Sequence, residues 1–314
     1  MIENIYKKLL IIRKKSQYKK RQYNYRIFLN DAKKYSYTDD FLNWSETKEY
    51  TAKDFLFDEN GIPLVNYAGR WYLNPCTALQ YTLKVYGDYI KEKTDYSSLK
   101  KDVEFCLGLM DEENKITYPF DYPYYCDPDN YFSAGWTSCM DYGHMLSICA
   151  RMSVLAPNEI DKYNEIADRC MQSLLVPIAE GGVFGTLGSL DSRYKKYIIF
   201  EEYPHIPETY TLNGFEYCLL GLYDWACAGA NSSGTAKKLF YDGIETLKIL
   251  LPFFDVGGFT CYDLAHLTIG ARKGKPYINA GYHREHIYFN KLFYDITGDD
   301  IFIEYYNKWK GYVD

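Results

Sequence analysis

Tyrosine occurs in three short stretches of the chain, in one of them beside two glutamates, and both residue types can transfer protons. The stretches are Glu201-Glu202-Tyr203-Pro204, Tyr262-Asp263-Leu264 and Tyr282-His283. Carboxyl and phenol groups serve as acids and bases once burial or neighbouring charges bring their pKa values toward neutrality. Removing a proton from a carbon beside a carboxylate needs a base, an acid on the opposite side, and donors that stabilise the resulting oxyanion. A fold that brings the three stretches together could therefore perform such a step.

The elements that must position these stretches are mainly helices. Leu79, Leu83 and Ile90 recur at helical spacing after Asn74-Pro75, a pair typical of an N-cap followed by proline in the first turn. The same patterns predict further helices from Ser138 to residue 153, over 159–175, from Asn213 onward, and over 235–251, 284–296 and 299–312.

Connections rich in Gly and Tyr separate these helices. Residues 115–136 contain three prolines and cannot form a helix, residues 180–200 indicate a hairpin, and residues 255–262 indicate a glycine turn that enters a strand. This alternation fits helical hairpins whose loops line a central cleft. The predicted fold class is mainly α, an incomplete α/α toroid with short β-hairpins in its connections. The sequence contains no exact internal repeat, so the toroid does not follow from periodicity alone.

The first 70 residues differ from the rest in charge. Residues 1–26 hold nine Lys and Arg against Glu3, a net charge of +8, so residues 27–314 sum to −14 in a chain of net charge −6. We expect a basic helical segment over 1–35 and a hairpin over 55–72, which together form an extension (1–70) before an α/α-toroid catalytic domain (71–314). The basic residues 1–26 can either contact an anionic membrane surface or form a solvated helix.

Composition excludes several classes of protein. An apolar content of 47% excludes disorder, and the apolar run at residues 9–12 is too short for a signal peptide or a membrane span. Nine cysteines without CxxC spacing indicate reduced thiols in a cytoplasmic protein. The acidic body lacks a recognition motif for nucleic acid. The 35 tyrosines suit contacts with sugar rings and with polar interfaces.

Three segments resemble the C-terminal catalytic domain of the D-glucuronyl C5-epimerases that act on heparan sulfate and heparosan. The first comprises EEYP at 201–204, LNGF at 212–215 and GLYD at 221–224. The second runs from Leu251-Pro252 through Asp255 and Gly258 to Tyr262-Asp263-Leu264 and His266, and the third is Tyr282-His283 with His286. The segments occur in the family's order, and with weaker similarities near Asn74 and Trp136 they cover about residues 70–312.

The resemblance implies a polymer-level epimerase that inverts C5 of glucuronate in an acidic polysaccharide, without a cofactor or metal, and a tendency to form homodimers. It implies proton transfer by Glu202, Tyr203, Tyr262 and Tyr282, with Glu202 and Tyr282 as the opposed pair. The residues expected to bind substrate are Trp136, Asn213, His266, His283, Arg284 and His286.

Several of these residues also have plainer interpretations. Asn213 is expected to cap its helix, and Glu201 is expected to be an exposed or capping carboxylate. His283 and His286, three residues apart, could share a helix face as a metal pair, but the sequence offers no third ligand.

One position departs from the family pattern. The family has arginine between Leu264 and His266, where this chain has Ala265. In the family that guanidinium is placed to meet an acidic group of the substrate, and lysine or histidine performs this bidentate task poorly. The candidates to replace its charge are Arg70, Arg272, Lys275 and Arg284.

Three other functions remain open. A polysaccharide lyase shares the proton abstraction at C5 but then expels the O4 substituent. A catalytically inactive glycan-binding protein is suggested by Ala265 and the tyrosine content. A retaining glycosidase could use Glu202 and Asp263 as its two carboxylates.

Overall fold

The computed structural model describes residues 2–20, 33–42, 55–124, 131–229 and 231–313, and it confirms a mainly α fold. The helices are α1 (Ile2–Lys20), α2 (Pro75–Ile90), α3 (Tyr96–Leu107), α4 (Cys139–Leu155), α5 (Ile160–Leu174), α6 (Leu212–Ala228), α7 (Ser233–Phe254), α8 (Ala265–Thr268), α9 (Ala271–Gly274), α10 (Ala280–Thr297) and α11 (Asp300–Lys310). Helix α4 packs against α2, α5 and α6, and α6 packs against α7 and α10. The α/α toroid stays a prediction.

Two helix starts confirm the capping residues expected from the sequence. The Asn74 side chain accepts the backbone N–H of Thr77 at 2.9 Å at the start of α2. The Ser138 hydroxyl accepts the backbone N–H of Met140 at 3.3 Å at the start of α4. Each side chain supplies an acceptor to an N–H group that the helix itself leaves unpaired.

Other boundaries differ from the prediction. Helix α6 begins at Leu212 with Thr211 at its N-cap, so the prediction that Asn213 caps it is wrong. Helix α10 begins at Ala280 and not at residue 284, because the side chain of Asn279 accepts the backbone N–H of Gly281 at 2.9 Å. Helix α3 was not predicted. The helix expected over 1–35 is described as far as Lys20, and the described residues 33–35 are not helical, so its predicted end is wrong.

Glycines allow α4 and α6 to cross with their backbones nearly in contact. A Cβ atom on Gly221 would lie 2.1 Å from the carbonyl oxygen of Gly143, and one on Gly143 would lie 2.6 Å from the Cα of Cys218. Any larger residue at either position would push the helices apart. This close crossing fixes α6, whose N-terminal end carries the candidate active site.

A buried ion pair joins the same two helices to the described segment 33–42. Arg151 on α4 donates from Nη1 to Oδ2 of Asp224 on α6 at 2.8 Å, and both side chains are almost fully buried. The hydroxyls of Ser147 and Tyr35 donate to Asp224 at 2.7 and 2.6 Å. Tyr35 thus lies in the helical core, while the division at residues 70 and 71 stays a prediction.

Short strands occupy the connections. β1 (Phe55–Phe57), β2 (Pro63–Tyr67) and β3 (Arg70–Leu73) form an antiparallel sheet, which adds a third strand to the hairpin predicted over 55–72. β4 (Tyr122–Pro123) pairs with β5 (Tyr131–Phe132), and β6 (Phe184–Thr186) pairs with β7 (Ile198–Phe200), which confirms the hairpin over 180–200. Residues 255–262 contain an isolated bridge between Asp255 and Thr260 in place of the predicted strand.

Candidate active site

Glu202 follows β7 and lies against the first turn of α6. A Cβ atom on Gly214 would come within 2.4 Å of Glu202 Oε2 and 2.5 Å of its Cβ, so only glycine leaves room for this side chain. The backbone N–H of Gly214 donates to the Glu202 carboxylate. The N-terminal end of a helix also favours a negative charge. Local structure therefore places one carboxyl group, 9% exposed, at the start of α6.

The Tyr262 hydroxyl connects the candidate catalytic side chains. It donates to Glu202 Oε1 at 3.2 Å and is in hydrogen-bonding contact with the hydroxyls of Tyr203 and Tyr282. The rings of Tyr262 and Tyr282 lie 4.3 Å apart between centroids. The backbone N–H of Leu212 donates to the Tyr262 carbonyl at 3.2 Å, which holds this segment at the start of α6. The structure thus brings all four predicted catalytic residues together.

Burial sets the protonation states within this cluster. It raises the pKa of Glu202 to about 7, although hydrogen bonds from Tyr203, Tyr262 and the Gly214 backbone act in the opposite direction. Burial and then the charge of Glu202 raise the pKa of Tyr203 well above its ordinary value. Burial and then the charges of Glu285 and Glu202 do the same for Tyr282. Near neutral pH Glu202 therefore suits the role of a base, and the two phenols remain protonated and suit the role of acids.

Aromatic rings surround Tyr203. Tyr122 lies 5.7 Å and Trp136 lies 6.0 Å from it between ring centroids, in stacked orientations. Trp136 also stacks on Tyr118 at 3.8 Å. Trp136, which the resemblance assigns to substrate binding, thus lies beside the candidate catalytic residues.

A cavity of about 320 Å³ opens next to this aromatic group. Tyr124 and Phe132 line it, and their ring centroids lie 5.4 and 6.2 Å from that of Tyr203, so two of the lining residues pack against a member of the catalytic cluster. The other described lining residues are Tyr131, Ile178, Pro204, His205 and Ile206, and none of the seven is Lys or Arg. Aromatic faces with a few polar groups are typical of a site that holds a sugar ring.

Asp141 and Tyr118 extend the cluster behind Glu202, although the sequence did not single them out. Asp141 is fully buried in the first turn of α4, and its Oδ1 accepts the Tyr118 hydroxyl at 3.2 Å. Burial, together with the charge of Glu202, raises the pKa of Asp141 well above its ordinary value. An acidic residue in the first turn of a helix is common, so sequence alone carried no signal for this placement.

Glu201 is fully buried, so the expectation of an exposed or capping carboxylate was wrong. Its Oε1 accepts the backbone N–H of Tyr210 at 3.0 Å, and Tyr210 has a left-handed backbone with φ of 56°. Burial raises the pKa of Glu201 well above its ordinary value. Glu201 therefore holds the loop that follows Tyr203 and does not face the cleft.

Known proteins match the part of the chain that contains this cluster. Residues 110–311 match the family model described as D-glucuronyl C5-epimerase C-terminus. The chain belongs to the D-glucuronyl C5-epimerase family. A D-glucuronyl C5-epimerase of Caenorhabditis elegans is 31% identical over 189 residues, which are 57% of this chain and 29% of that protein. An uncharacterised protein of Methanocaldococcus jannaschii is 28% identical over 228 residues, 69% of this chain and 64% of that protein.

The chain thus spans less than two thirds of either of these relatives. The described catalytic candidates nevertheless lie within the region that matches the epimerase family, between residues 110 and 311. Tyr118 and Asp141 lie in the same region.

Two histidines of the family's third segment lie behind the cluster and not in the cleft. His283 accepts the backbone N–H of Thr260 at 3.1 Å through Nδ1 and donates from Nε2 to the Trp309 carbonyl at 3.2 Å. His286 Nδ1 lies 2.8 Å from the Thr260 hydroxyl. Burial lowers the pKa of both rings, and neither is exposed to solvent. Both rings hold Thr260, two residues before Tyr262, against α10, and the substrate-binding role of His283 and His286 stays a prediction.

The other three residues predicted to bind substrate differ in burial and in the helix that carries them. Arg284 is buried on α10, two residues after Tyr282. His266 is half-buried on α8, where burial lowers its pKa. Asn213 is buried in the first turn of α6, next to the glycine that contacts Glu202. Substrate binding by these three residues stays a prediction.

The departure at Ala265 has a structural explanation. Ala265 is fully buried and packs with Tyr124 and Ala271, so an arginine side chain would not fit there without moving its neighbours. Arg272, one candidate to replace its charge, donates from Nη2 to Asp263 Oδ1 at 2.6 Å. The buried Asp263 also accepts the backbone N–H of Ala265 at 2.9 Å, so this carboxylate is engaged in holding the loop. That arrangement argues against a glycosidase that uses Asp263.

Proposed function

We propose that the protein inverts C5 of D-glucuronate residues within an acidic polysaccharide and needs no cofactor for this reaction. The observation that carries the proposal is the hydrogen-bonded cluster around Tyr262, in which a carboxyl group with a pKa of about 7 adjoins two protonated phenols. Membership of the D-glucuronyl C5-epimerase family supports the choice of substrate.

In the first step of the proposed reaction, the Glu202 carboxylate removes the proton from C5. The C5–H electron pair moves toward the adjacent carboxylate carbon, and negative charge accumulates on the carboxylate oxygens. The hydroxyl of Tyr203 remains protonated beside Glu202 and can donate a hydrogen bond to one of these oxygens. The aromatic rings around the cluster exclude water, which strengthens such hydrogen bonds.

In the second step, the phenol of Tyr282 delivers its proton to C5 from the opposite face, which gives L-iduronate. The Tyr282 phenolate then regains a proton from Glu202 through the Tyr262 hydroxyl, which contacts both groups. The protons balance, and no oxidant or reductant is required. Tyr203 orients the substrate or shares the proton.

The cavity beside Tyr203 gives room for a neighbouring sugar of the polymer. Tyr124 and Phe132 offer aromatic faces to the C–H groups of such a ring. Because the described lining contains no Lys or Arg, we propose that this neighbouring sugar is uncharged.

The test is incubation of glucuronate-containing polymers, heparosan first, in deuterated water, followed by NMR of position C5. We expect deuterium at C5 with the unmodified chain, and little or none with Glu202→Gln or Tyr282→Phe. Tyr241 on α7 is exposed, so Tyr241→Phe serves as the matched control and should retain exchange. Absence of deuterium from every such polymer would refute the proposal.

The same experiment separates the alternatives. An unsaturated product that absorbs in the ultraviolet would identify a lyase. Binding of the polymer without deuterium exchange would identify an inactive glycan-binding protein, provided that both active-site variants still bind. Ala265 at the position of the family's arginine favours this alternative. Cytoplasmic location and homodimer formation stay proposals, which cell fractionation and light scattering test.

A further inference from the structure

The outward face of α1 carries an apolar stripe. Ile5, Leu9 and Ile12 are 54%, 61% and 63% exposed. At about 100° of rotation per residue, their spacings of four and three place them within an arc of roughly 60° on one side of the helix. Three large aliphatic side chains thus form a continuous strip that the described part of the chain leaves uncovered.

The opposite face of α1 fixes the direction of this stripe. Leu10 and Ile11 are partly buried against the main core, and α1 packs against α10. A Cβ atom on Gly258 would lie 3.0 Å from Cγ2 of Ile11, which shows how closely the helix sits on the body. Because this inner face is already occupied, Ile5, Leu9 and Ile12 point away from the part of the chain that the structure describes.

Positive charge flanks the stripe. Lys8 and Arg13 are exposed and lie on its two sides, and residues 1–26 carry nine Lys and Arg against one Glu. The remainder of the chain has a net charge of −14, since the whole chain is −6 and residues 1–26 are +8. A helix with an apolar strip and basic flanks is complementary to the interface of an anionic bilayer, where aliphatic groups enter the acyl boundary and cations meet lipid headgroups.

We propose that α1 docks the protein on an anionic membrane surface, with Ile5, Leu9 and Ile12 inserted below the headgroups and Lys8 and Arg13 at headgroup level. The helix would lie in the plane of the interface. No helix among the described residues is long and apolar enough to cross a bilayer. The apolar stripe favours lipid over a soluble polyanion such as the polysaccharide, because a polyanion offers aliphatic side chains nothing to enter.

The test is sedimentation of the full chain with phosphatidylcholine vesicles that contain or lack phosphatidylglycerol. We expect binding to the anionic vesicles, and a loss of at least about tenfold in partition for the Ile5→Ser/Leu9→Ser/Ile12→Ser variant. Val154→Ser/Leu175→Ser is the matched control, because these two exposed side chains lie elsewhere on the surface, and it should bind normally. Lys8→Gln/Arg13→Gln should weaken binding to anionic vesicles, and raised salt should do the same.

All three substituted chains should retain the far-ultraviolet circular dichroism of the unmodified chain, since the altered side chains are exposed. Equal vesicle binding by the triple serine variant and the unmodified chain would overturn the proposal. So would a failure of the unmodified chain to bind either vesicle. Loss of a dimer in the triple variant, without vesicle binding by the unmodified chain, would assign the stripe to a second copy of the chain.

Discussion

Replacement of Glu202 by glutamine is expected to stabilise the fold at high pH while it abolishes activity. Burial raises the pKa of this carboxyl to about 7 from the ordinary value of 4.5. Ionised Glu202 is therefore disfavoured in the folded state, and the resulting loss of stability is absent below pH 4.5, grows as the pH rises toward 7, and then levels off. From the difference in pKa, the loss is below about 1 kcal/mol at pH 5 and about 3 kcal/mol at pH 8.

The assay is urea unfolding of the unmodified chain and Glu202→Gln at pH 5 and pH 8. Glutamine stays neutral, so the variant should exceed the unmodified chain in unfolding free energy by about 3 kcal/mol at pH 8 and by much less at pH 5. Glu180→Gln, at an exposed glutamate, is the control and should show no such dependence on pH. A difference that is the same at both pH values, or a less stable variant at pH 8, would refute the electrostatic reasoning.

Three further substitutions test separate contacts. Gly214→Ala should displace Glu202, because the new Cβ atom would lie 2.4 Å from its Oε2, and should reduce exchange at C5 by about a hundredfold; a fully active variant would contradict this contact. Tyr262→Phe removes a hydrogen bond that lowers the pKa of Glu202, so the low-pH limb of the pH–rate profile should move to higher pH. A limb that stays in place or moves to lower pH would contradict this effect of Tyr262 on Glu202. Asp224→Ala leaves the charge of Arg151 buried without its partner, so the unfolding free energy measured by urea denaturation should fall by about 3–5 kcal/mol. A loss under about 1 kcal/mol would show that this ion pair does not stabilise the fold.

The predictable part of the fold is the part with local signals. Asn74 and Ser138 precede regular apolar spacings, and both cap helices at the expected positions. The start of α10 was harder to predict, because Gly281 and the polar residues after it weaken the helical pattern that the Asn279 cap restores. Helix α3 has apolar residues at helical spacing and an Asp95 cap, so its signal was available.

The candidate site likewise has residues that local motifs predict and contacts that they do not. Glu202, Tyr262 and Tyr282 were identified because each lies in a local motif, and the structure brings them together. The pairing of Asp141 with Tyr118 depends on how α4 packs against the loop before it, which no local pattern encodes. Motif membership also did not indicate which of these residues are fully buried, as His283, His286 and Glu201 show.

The central claim is that Glu202 and Tyr282 act on opposite faces of C5 in a glucuronate residue. Its most direct test is a single turnover of a glucuronate polymer in deuterated water, with C5 of the recovered glucuronate and of the product analysed separately. If Glu202 removes the proton and Tyr282 donates from the opposite face, solvent deuterium enters the L-iduronate product. The recovered glucuronate then keeps its original hydrogen at C5. Deuterium in neither sugar, or deuterium appearing in glucuronate without any L-iduronate, would contradict the account.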